Sequence, residues 1–251
     1  MLRIFLFIFC LPISAYAQGA EAVSAFAKGD FLRAADLAEE AVEADSLAFA
    51  ARSVLANAMV NSGGMPEQEH LERAEALALR AMDINDGHID GQMQLAIAFS
   101  LQARPLSNRQ AMRSGLGQKA RRLAEDILLE DADNAYAHAL LAIWNMEVLR
   151  RGGRIGARIM GASAITAMEH YDAARLATPD DGSLHWQGAR VLAATNAKRY
   201  KEHIDVALLA AAAANTDDAL EAAMKARAAK FKQDIETLSY DEIEALAASL
   251  L

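Results

Sequence analysis

Apolar residues along this chain recur at the three-and-four spacing of an amphipathic helix, and short polar segments separate the helical stretches. Four stretches end alike, in an apolar helix end that runs into Asp, Asn, Ser, Thr or Pro; these ends are 41–46, 81–86, 127–132 and 174–179. Such polar residues stop one helix and cap the next. The pattern therefore predicts a series of helices joined by turns.

A small residue follows each of these ends at a fixed distance. Ala56, Ala96, Ala142 and Ala189 all lie fifteen residues beyond the first residue of the preceding end. Large apolar residues flank the alanines, with two exceptions, Asn145 and Gly188. A small side chain beside large ones lets a second helix pack closely. Any Ala-rich helical bundle has alanines at helical spacings, but a plain bundle has no reason to keep this offset four times, so stacked helical hairpins are predicted.

The stretch from Gly29 to Ala41 has a Gly-Asp-aromatic turn and two alanines seven residues apart, Ala34 and Ala41, and it resembles the tetratricopeptide (TPR) repeat family. Later units carry the corresponding pairs Ala74 and Ala81, Ala120 and Ile127, Ala167 and Ala174, and more faintly Ile204 and Ala211. The resemblance implies an all-α fold, a right-handed α-solenoid of four to five TPR-like helical hairpins. The units depart from the family's period of about 34 residues, because the small residue recurs at spacings of 40, 46 and 47.

Three regions are predicted along the chain. Residues 1–17 have the pattern of a secretory signal peptide, with cleavage expected after Ala17. Residues 18–215 form the repeat array, and residues 216–251 form C-terminal capping helices that cover its last apolar face. The signal peptide predicts a periplasmic or secreted protein. No later segment has the length and apolar character of a membrane span, so a soluble mature chain is expected.

The only cysteine, Cys10, lies within the predicted signal peptide, so the mature chain should contain no thiol. Lipid attachment at Cys10 is the competing interpretation. It is disfavoured because Phe9 stands where a lipoprotein signal has a small residue.

Charge and motifs favour a binding protein over an enzyme. The chain carries a net charge of −9, and a negatively charged protein repels the phosphates of a nucleic acid, so no nucleic-acid partner is predicted. The six histidines form no His-Glu-x-x-His pattern, and the chain has neither a Gly-x-Ser-x-Gly elbow nor a nucleotide phosphate loop. We therefore predict no catalytic residue, no metal ligand and no cofactor.

In TPR proteins the first helix of each hairpin faces the concave side of the superhelix, so the resemblance implies a groove lined by residues of those helices. In this sequence they are Asn57, Val60, Met93, Ile97, Tyr136, Ile143, Trp186 and Arg190. An apolar wall with a few polar groups suits a peptide or a small organic ligand. The alternative is that Met93, Ile97, Ile143 and Trp186 are simply core residues.

Two basic segments interrupt this acidic chain. Residues 91–124 include no acidic residue, and 150–158 is rich in glycine and arginine. Both lie largely in turns within a hairpin, so stacking should bring their arginines to one edge; these are Arg104, Arg109, Arg113, Arg150, Arg151, Arg154 and Arg158. Arginine suits carboxylate and phosphate groups. This basic edge is predicted to bind an anion, an acidic peptide or an anionic membrane surface, unless its arginines pair with acidic neighbours.

Two functions follow from these expectations. The first is an exported scaffold or adaptor that binds a protein or peptide partner through the concave groove and the basic edge. The second is a small-molecule-binding accessory protein of a TRAP-type transporter, a class of exported helical-repeat proteins that the chain broadly resembles. A deep apolar pocket would favour the second function, and an open continuous groove would favour the first.

Overall fold

The structure is a computed structural model that describes residues 13–61 and 67–250, with side chains described from Gly19 onward. This part of the chain is all-α: it forms thirteen helices and no strand. The helices are α1 (Ile13–Ala27), α2 (Phe31–Glu39), α3 (Ala44–Asn61), α4 (Gln68–Ile84), α5 (Ile89–Ala103), α6 (Asn108–Ser114), α7 (Leu116–Glu130), α8 (Ala135–Met160), α9 (Ala164–Ala177), α10 (Gly182–Asn196), α11 (Lys201–Ala213), α12 (Ala219–Ile235) and α13 (Tyr240–Ser249). Most of the predicted signal peptide, including Cys10, lies outside the described residues.

The starts of several helices are fixed by polar side chains that accept a hydrogen bond from a backbone N–H of the first turn. Asn134, Ser163 and Asp181 cap α8, α9 and α10 in this way, and Asp218 and Ser239 cap α12 and α13. Such caps satisfy donors that have no partner within the helix. The polar residues that separate the apolar stretches therefore set the helix boundaries.

Helices that follow each other in the chain pack side by side from α1 to α5, and α5 then packs on α7, α7 on α8 and α8 on α9. A second set of contacts joins α3 to α5, α5 to α8 and α8 to α10, and α10 packs on α11. The alanines at the fixed offset, Ala56, Ala96, Ala142 and Ala189, are all buried in α3, α5, α8 and α10. Their small side chains allow these close helix contacts.

Both exceptions to the apolar pattern have a structural reason. Asn145 is buried, donates a hydrogen bond from Nδ2 to the carbonyl oxygen of Leu141 at 2.9 Å, and accepts one from the backbone N–H of Ser163 at 2.9 Å. It thereby ties α8 to the start of α9. Gly188 leaves room for the ring of Tyr171, because a Cβ atom at position 188 would lie 2.3 Å from Tyr171 Cε2.

Gly188→Ala should therefore destabilise the protein. The added methyl group overlaps a buried aromatic ring, and overpacking of this kind costs about 1–3 kcal/mol of unfolding free energy. Denaturant unfolding followed by circular dichroism measures the loss. Tyr171→Leu removes the ring that the new methyl group would overlap. The loss of unfolding free energy caused by Gly188→Ala should therefore be much smaller in a Tyr171→Leu protein than in the wild-type protein. An equal loss in both proteins would contradict this packing.

The C-terminal helices connect distant parts of the chain. Helix α12 packs on α10 and α11 and also contacts α1 and α3, while α13 packs on α10. Phe231 of α12 lies against Trp186 of α10, with ring centroids 5.5 Å apart in an edge-on arrangement. Arg227, also in α12, donates a hydrogen bond to the carbonyl oxygen of Val60 in α3 at 3.2 Å. Helix α12 thus contacts both helices from the start of the described chain, α1 and α3, and helices from its later part, α10 and α11.

No helix in the ranges that the structure describes combines the length and apolar character needed to span a bilayer.

Candidate functional site

The two basic segments meet at the turn between α5 and α7. Helix α6 lies within this turn, and α8 is kinked at Gly153, where φ is +58° and favours glycine. Arg151 lies two residues before the kink. It donates a hydrogen bond from Nε to Asn108 Oδ1 at 3.1 Å, and its other guanidinium nitrogens donate to the backbone carbonyl oxygens of Ala103 and Leu106. Asn108 in return donates to the carbonyl oxygen of Arg151 at 2.9 Å. Arg151 therefore joins the α5–α6 turn to the kink of α8.

A cleft lies between these elements. Its volume is about 180 Å³, and it runs between the end of α5, helix α6, the start of α7 and both halves of α8. Most of its wall is apolar: the residues with large apolar side chains are Met112, Leu140, Ile143, Trp144, Val148 and Met160. Polar groups in the wall include Arg104, Gln118 and Glu147. An apolar cleft with a few polar groups is the usual form of a small-ligand site.

Two arginines line the cleft, Arg104 and Arg151, and the guanidinium of Arg151 is already hydrogen-bonded to Asn108 and to backbone carbonyl oxygens. The side chain of Arg104 is half-buried, because part of it faces the cleft, and this burial lowers its pKa to about 10. The negative charge of Glu147 acts in the opposite direction, but both oxygens of Glu147 already accept hydrogen bonds from Arg150, at 3.0 and 2.8 Å. Within residues 13–61 and 67–250, no group accepts a hydrogen bond from the Arg104 guanidinium. At neutral pH the cleft thus holds a protonated arginine with donors available to an anion.

Trp144 also lines the cleft, and its ring contacts Arg121 of α7. The guanidinium of Arg121 lies over its ring, 4.7 Å from the centroid. Arg121 is itself fixed by hydrogen bonds to Glu125 Oε1 at 2.7 Å and to the carbonyl oxygen of Met160 at 3.1 Å. The indole is therefore positioned before any ligand arrives.

The predicted groove residues do not form one open surface. Met93, Trp186 and Arg190 are buried, whereas Asn57, Val60, Ile97 and Ile143 are half-buried. Tyr136 is exposed, and its hydroxyl donates a hydrogen bond to Asp181 Oδ2 at 2.8 Å. Although much of the side chain is exposed, desolvation of the hydroxyl, with the nearby charge of Asp181, raises the pKa of Tyr136. Ile143 is the one member of this set that lines the cleft.

Arg190 lies beneath the C-terminal helices. Its side chain is 5% exposed and donates hydrogen bonds to the carbonyl oxygen of Leu250, just beyond α13, and to Gln187 Oε1. Burial and the positive charge of Arg104 hold the pKa of Arg190 well below its ordinary value. Trp186, 2% exposed, is covered by Phe231. Both side chains thus contact the chain itself at the place where a groove ligand was expected.

The arginines of the predicted basic edge take three different roles. Arg150 pairs with Glu147, and Arg151 binds backbone carbonyl oxygens, so both are structural. Arg104 faces the cleft. The other four are exposed on α6 and on the part of α8 after the kink, without an ion pair to any described residue; they are Arg109, Arg113, Arg154 and Arg158.

Histidines form one close pair. His138 of α8 and His170 of α9 have their Nδ1 atoms 2.8 Å apart, and His138 Nε2 donates to the carbonyl oxygen of Ala132 at 3.0 Å. Burial and the neighbouring His138 lower the pKa of His170. In the described part of the chain, no group of three or more His, Cys, Asp or Glu side chains is placed to hold a metal ion. The pair is therefore a contact between two helices of one hairpin.

Comparison with known proteins gives no relative on which an activity could rest. The chain matches no protein-family model. It also matches no curated protein. The cleft itself carries the functional interpretation.

Sequence reasoning missed most of the cleft. The cleft residues Trp144, Met112 and Met160 are not among the site residues that the sequence predicts. Met112 lies within the first basic segment and Met160 lies two residues beyond the second, and methionines beside arginines and glycines give a local signal of mixed apolar and basic character. The signal does not show which side chains face each other, because that depends on the kink at Gly153.

Proposed function

We propose that this chain is an exported, non-catalytic binding protein whose cleft takes up a small organic anion with an apolar body. The observation that carries the proposal is Arg104, which lines an otherwise largely apolar cleft and donates no side-chain hydrogen bond to any residue that the structure describes. This corresponds to the small-molecule function that the sequence predicts as its second alternative. It requires no chemistry on the ligand, only recognition of its charge and of its apolar surface.

The size of the cleft supports a ligand of this class. A volume of about 180 Å³ exceeds that of an apolar cavity of about 150 Å³, which holds a benzene-sized molecule. A short acyl chain or a single aromatic ring therefore fits between Trp144, Met112 and Met160. Removing such a group from water contributes about 0.8 kcal/mol for each buried methylene.

Arg104 determines which end group the ligand carries. A carboxylate accepts two parallel hydrogen bonds from a guanidinium, and such bonds are about twice as strong as those between neutral groups. Partial burial of Arg104 strengthens its attraction for an anion because less water competes. A neutral ligand of the same shape leaves this charge unpaired in the cleft.

We propose that the scaffold is a right-handed α-solenoid of TPR type, since contacts between consecutive helices and between α3, α5, α8 and α10 follow the order that stacked hairpins produce. A peptide in its concave groove receives less support. Trp186 and Arg190 contact Phe231 and Leu250 of the same chain, so a peptide reaches them only after the C-terminal helices move away.

The test compares octanoate with octan-1-ol, which has the same apolar chain length and no charge. Titration calorimetry should show octanoate binding more tightly to the wild-type protein. In Arg104→Gln the advantage should fall by about 10–100-fold in Kd, because a hydrogen bond to a charged group contributes about 1.5–3 kcal/mol. Octan-1-ol should bind both proteins equally.

Arg109→Gln serves as the matched control, since Arg109 lies in the same basic segment but outside the cleft wall. It should leave both affinities unchanged. Equal affinity of the wild-type protein for octanoate and octan-1-ol, or an equal loss in Arg104→Gln and Arg109→Gln, would overturn the proposal.

A further inference from the structure

The outer surface beside the cleft combines exposed apolar side chains with unpaired arginines. Ile155 is 77% exposed, Ile159 is 69% exposed, and Met112 of α6 is 59% exposed. The arginines Arg109, Arg113, Arg154 and Arg158 alternate with them along the two helices. We call these seven residues the arginine–isoleucine surface.

The surface is continuous. Helix α6 is joined to α8 two residues before Gly153, by the hydrogen bonds between Asn108 and Arg151. Both elements also line the same cleft, α6 through Ala111 and Met112 and α8 through Gly156 and Met160. The two helices that carry the exposed isoleucines and arginines thus lie side by side along one cleft.

Folding alone does not account for this composition. Ile155 and Ile159 are four residues apart and so lie on one side of the helix, yet both remain exposed while Ala157 of the same turn is buried. The described part of the chain offers no carboxylate that pairs with the four arginines. A helix with exposed apolar residues and flanking basic residues is the arrangement that binds at a membrane interface, with apolar groups among the acyl chains and cations near the headgroups.

We propose that the arginine–isoleucine surface docks the protein on an anionic lipid membrane. The arginines are attracted by the negative headgroups even though the whole chain carries a net charge of −9, because the surface is locally free of acidic residues. An acidic peptide would pair with the arginines, but it would not explain why the two isoleucines are exposed to solvent. Docking goes beyond the proposed ligand binding and does not depend on it, although the same two helices line the cleft.

Co-sedimentation with lipid vesicles tests the proposal. The wild-type protein should bind phosphatidylglycerol vesicles, bind phosphatidylcholine vesicles at least about tenfold more weakly, and be released by salt. Ile155→Ser/Ile159→Ser and, separately, Arg154→Gln/Arg158→Gln should each lower the partition coefficient on phosphatidylglycerol at least about tenfold. All four positions are exposed, so circular dichroism should show wild-type helix content and thermal midpoint.

Matched controls are exposed residues that do not belong to the arginine–isoleucine surface. Leu129→Ser/Leu176→Ser removes two leucines that are as exposed as the isoleucines, and Arg122→Gln/Lys232→Gln removes the same number of charges. Both controls should bind phosphatidylglycerol like the wild-type protein. Equal binding to the two kinds of vesicle, no binding to either, or equal losses in the controls and the surface variants would overturn the proposal.

The same proteins separate this proposal from the proposed ligand binding. Arg104→Gln should bind phosphatidylglycerol vesicles normally while losing its preference for octanoate. Ile155→Ser/Ile159→Ser should keep that preference in the absence of lipid. If the vesicle results fail while the octanoate results hold, only the docking proposal is lost; the reverse outcome removes only the proposed ligand.

Discussion

Phe231→Ala should lower the free energy of unfolding by about 3–5 kcal/mol, the usual cost of truncating a buried phenylalanine. Phe231 is 1% exposed and stacks edge-on against Trp186, the largest fully buried side chain, so its loss leaves a cavity between α12 and α10. Because most domains of this kind have only about 5–15 kcal/mol of stability, the variant should unfold at a clearly lower denaturant concentration.

Chemical denaturation followed by far-ultraviolet circular dichroism measures this effect, and tryptophan fluorescence should change in the same transition. Phe231→Leu is the control, since it keeps most of the apolar volume and should cost much less. A loss below about 1 kcal/mol in Phe231→Ala, a value typical of surface positions, would mean that α12 does not cover Trp186 in solution.

Gly156→Leu should weaken octanoate binding by about 100-fold. Gly156 lines the cleft, and a Cβ atom built there meets no other atom within 4 Å, so the new side chain has space to enter the cleft without disturbing the backbone. It would displace about four methylenes of the ligand, at about 0.8 kcal/mol each, which corresponds to roughly two factors of ten in Kd.

Gly156→Ala is the matched control, because a single methyl group fills little of the cleft. Both variants should be at least as stable as the wild-type protein, since glycine is the poorest helix former after proline. Titration calorimetry with octanoate gives the affinities. Wild-type affinity in Gly156→Leu would show that octanoate binds elsewhere.

The helical series could be predicted from sequence because its signals are local. The apolar spacing, the polar residues at helix ends and the alanines at a fixed offset all act within one or two turns of the chain. The two exceptions illustrate the limit. Gly188 is explained only by Tyr171, which lies on another helix, and Asn145 only by the backbone of Ser163.

The position of the C-terminal helices could not be predicted in the same way. The contact between Arg227 and Val60 joins residues 167 positions apart, and it depends on how all the helices between them pack. For the same reason the expected exposure of the groove could not be judged from Trp186 and Arg190 alone. Likewise, the cleft is lined by residues on both sides of the bend at Gly153, where a positive φ interrupts the helical path of α8.

Isotope-filtered NMR of octanoate bound to the wild-type protein tests the central claim most directly, because it locates the ligand. The account predicts nuclear Overhauser contacts from the acyl chain to the indole of Trp144 and to the methyl group of Met160. Contacts to Trp186 instead, or no contact to either residue at saturating octanoate, would contradict it.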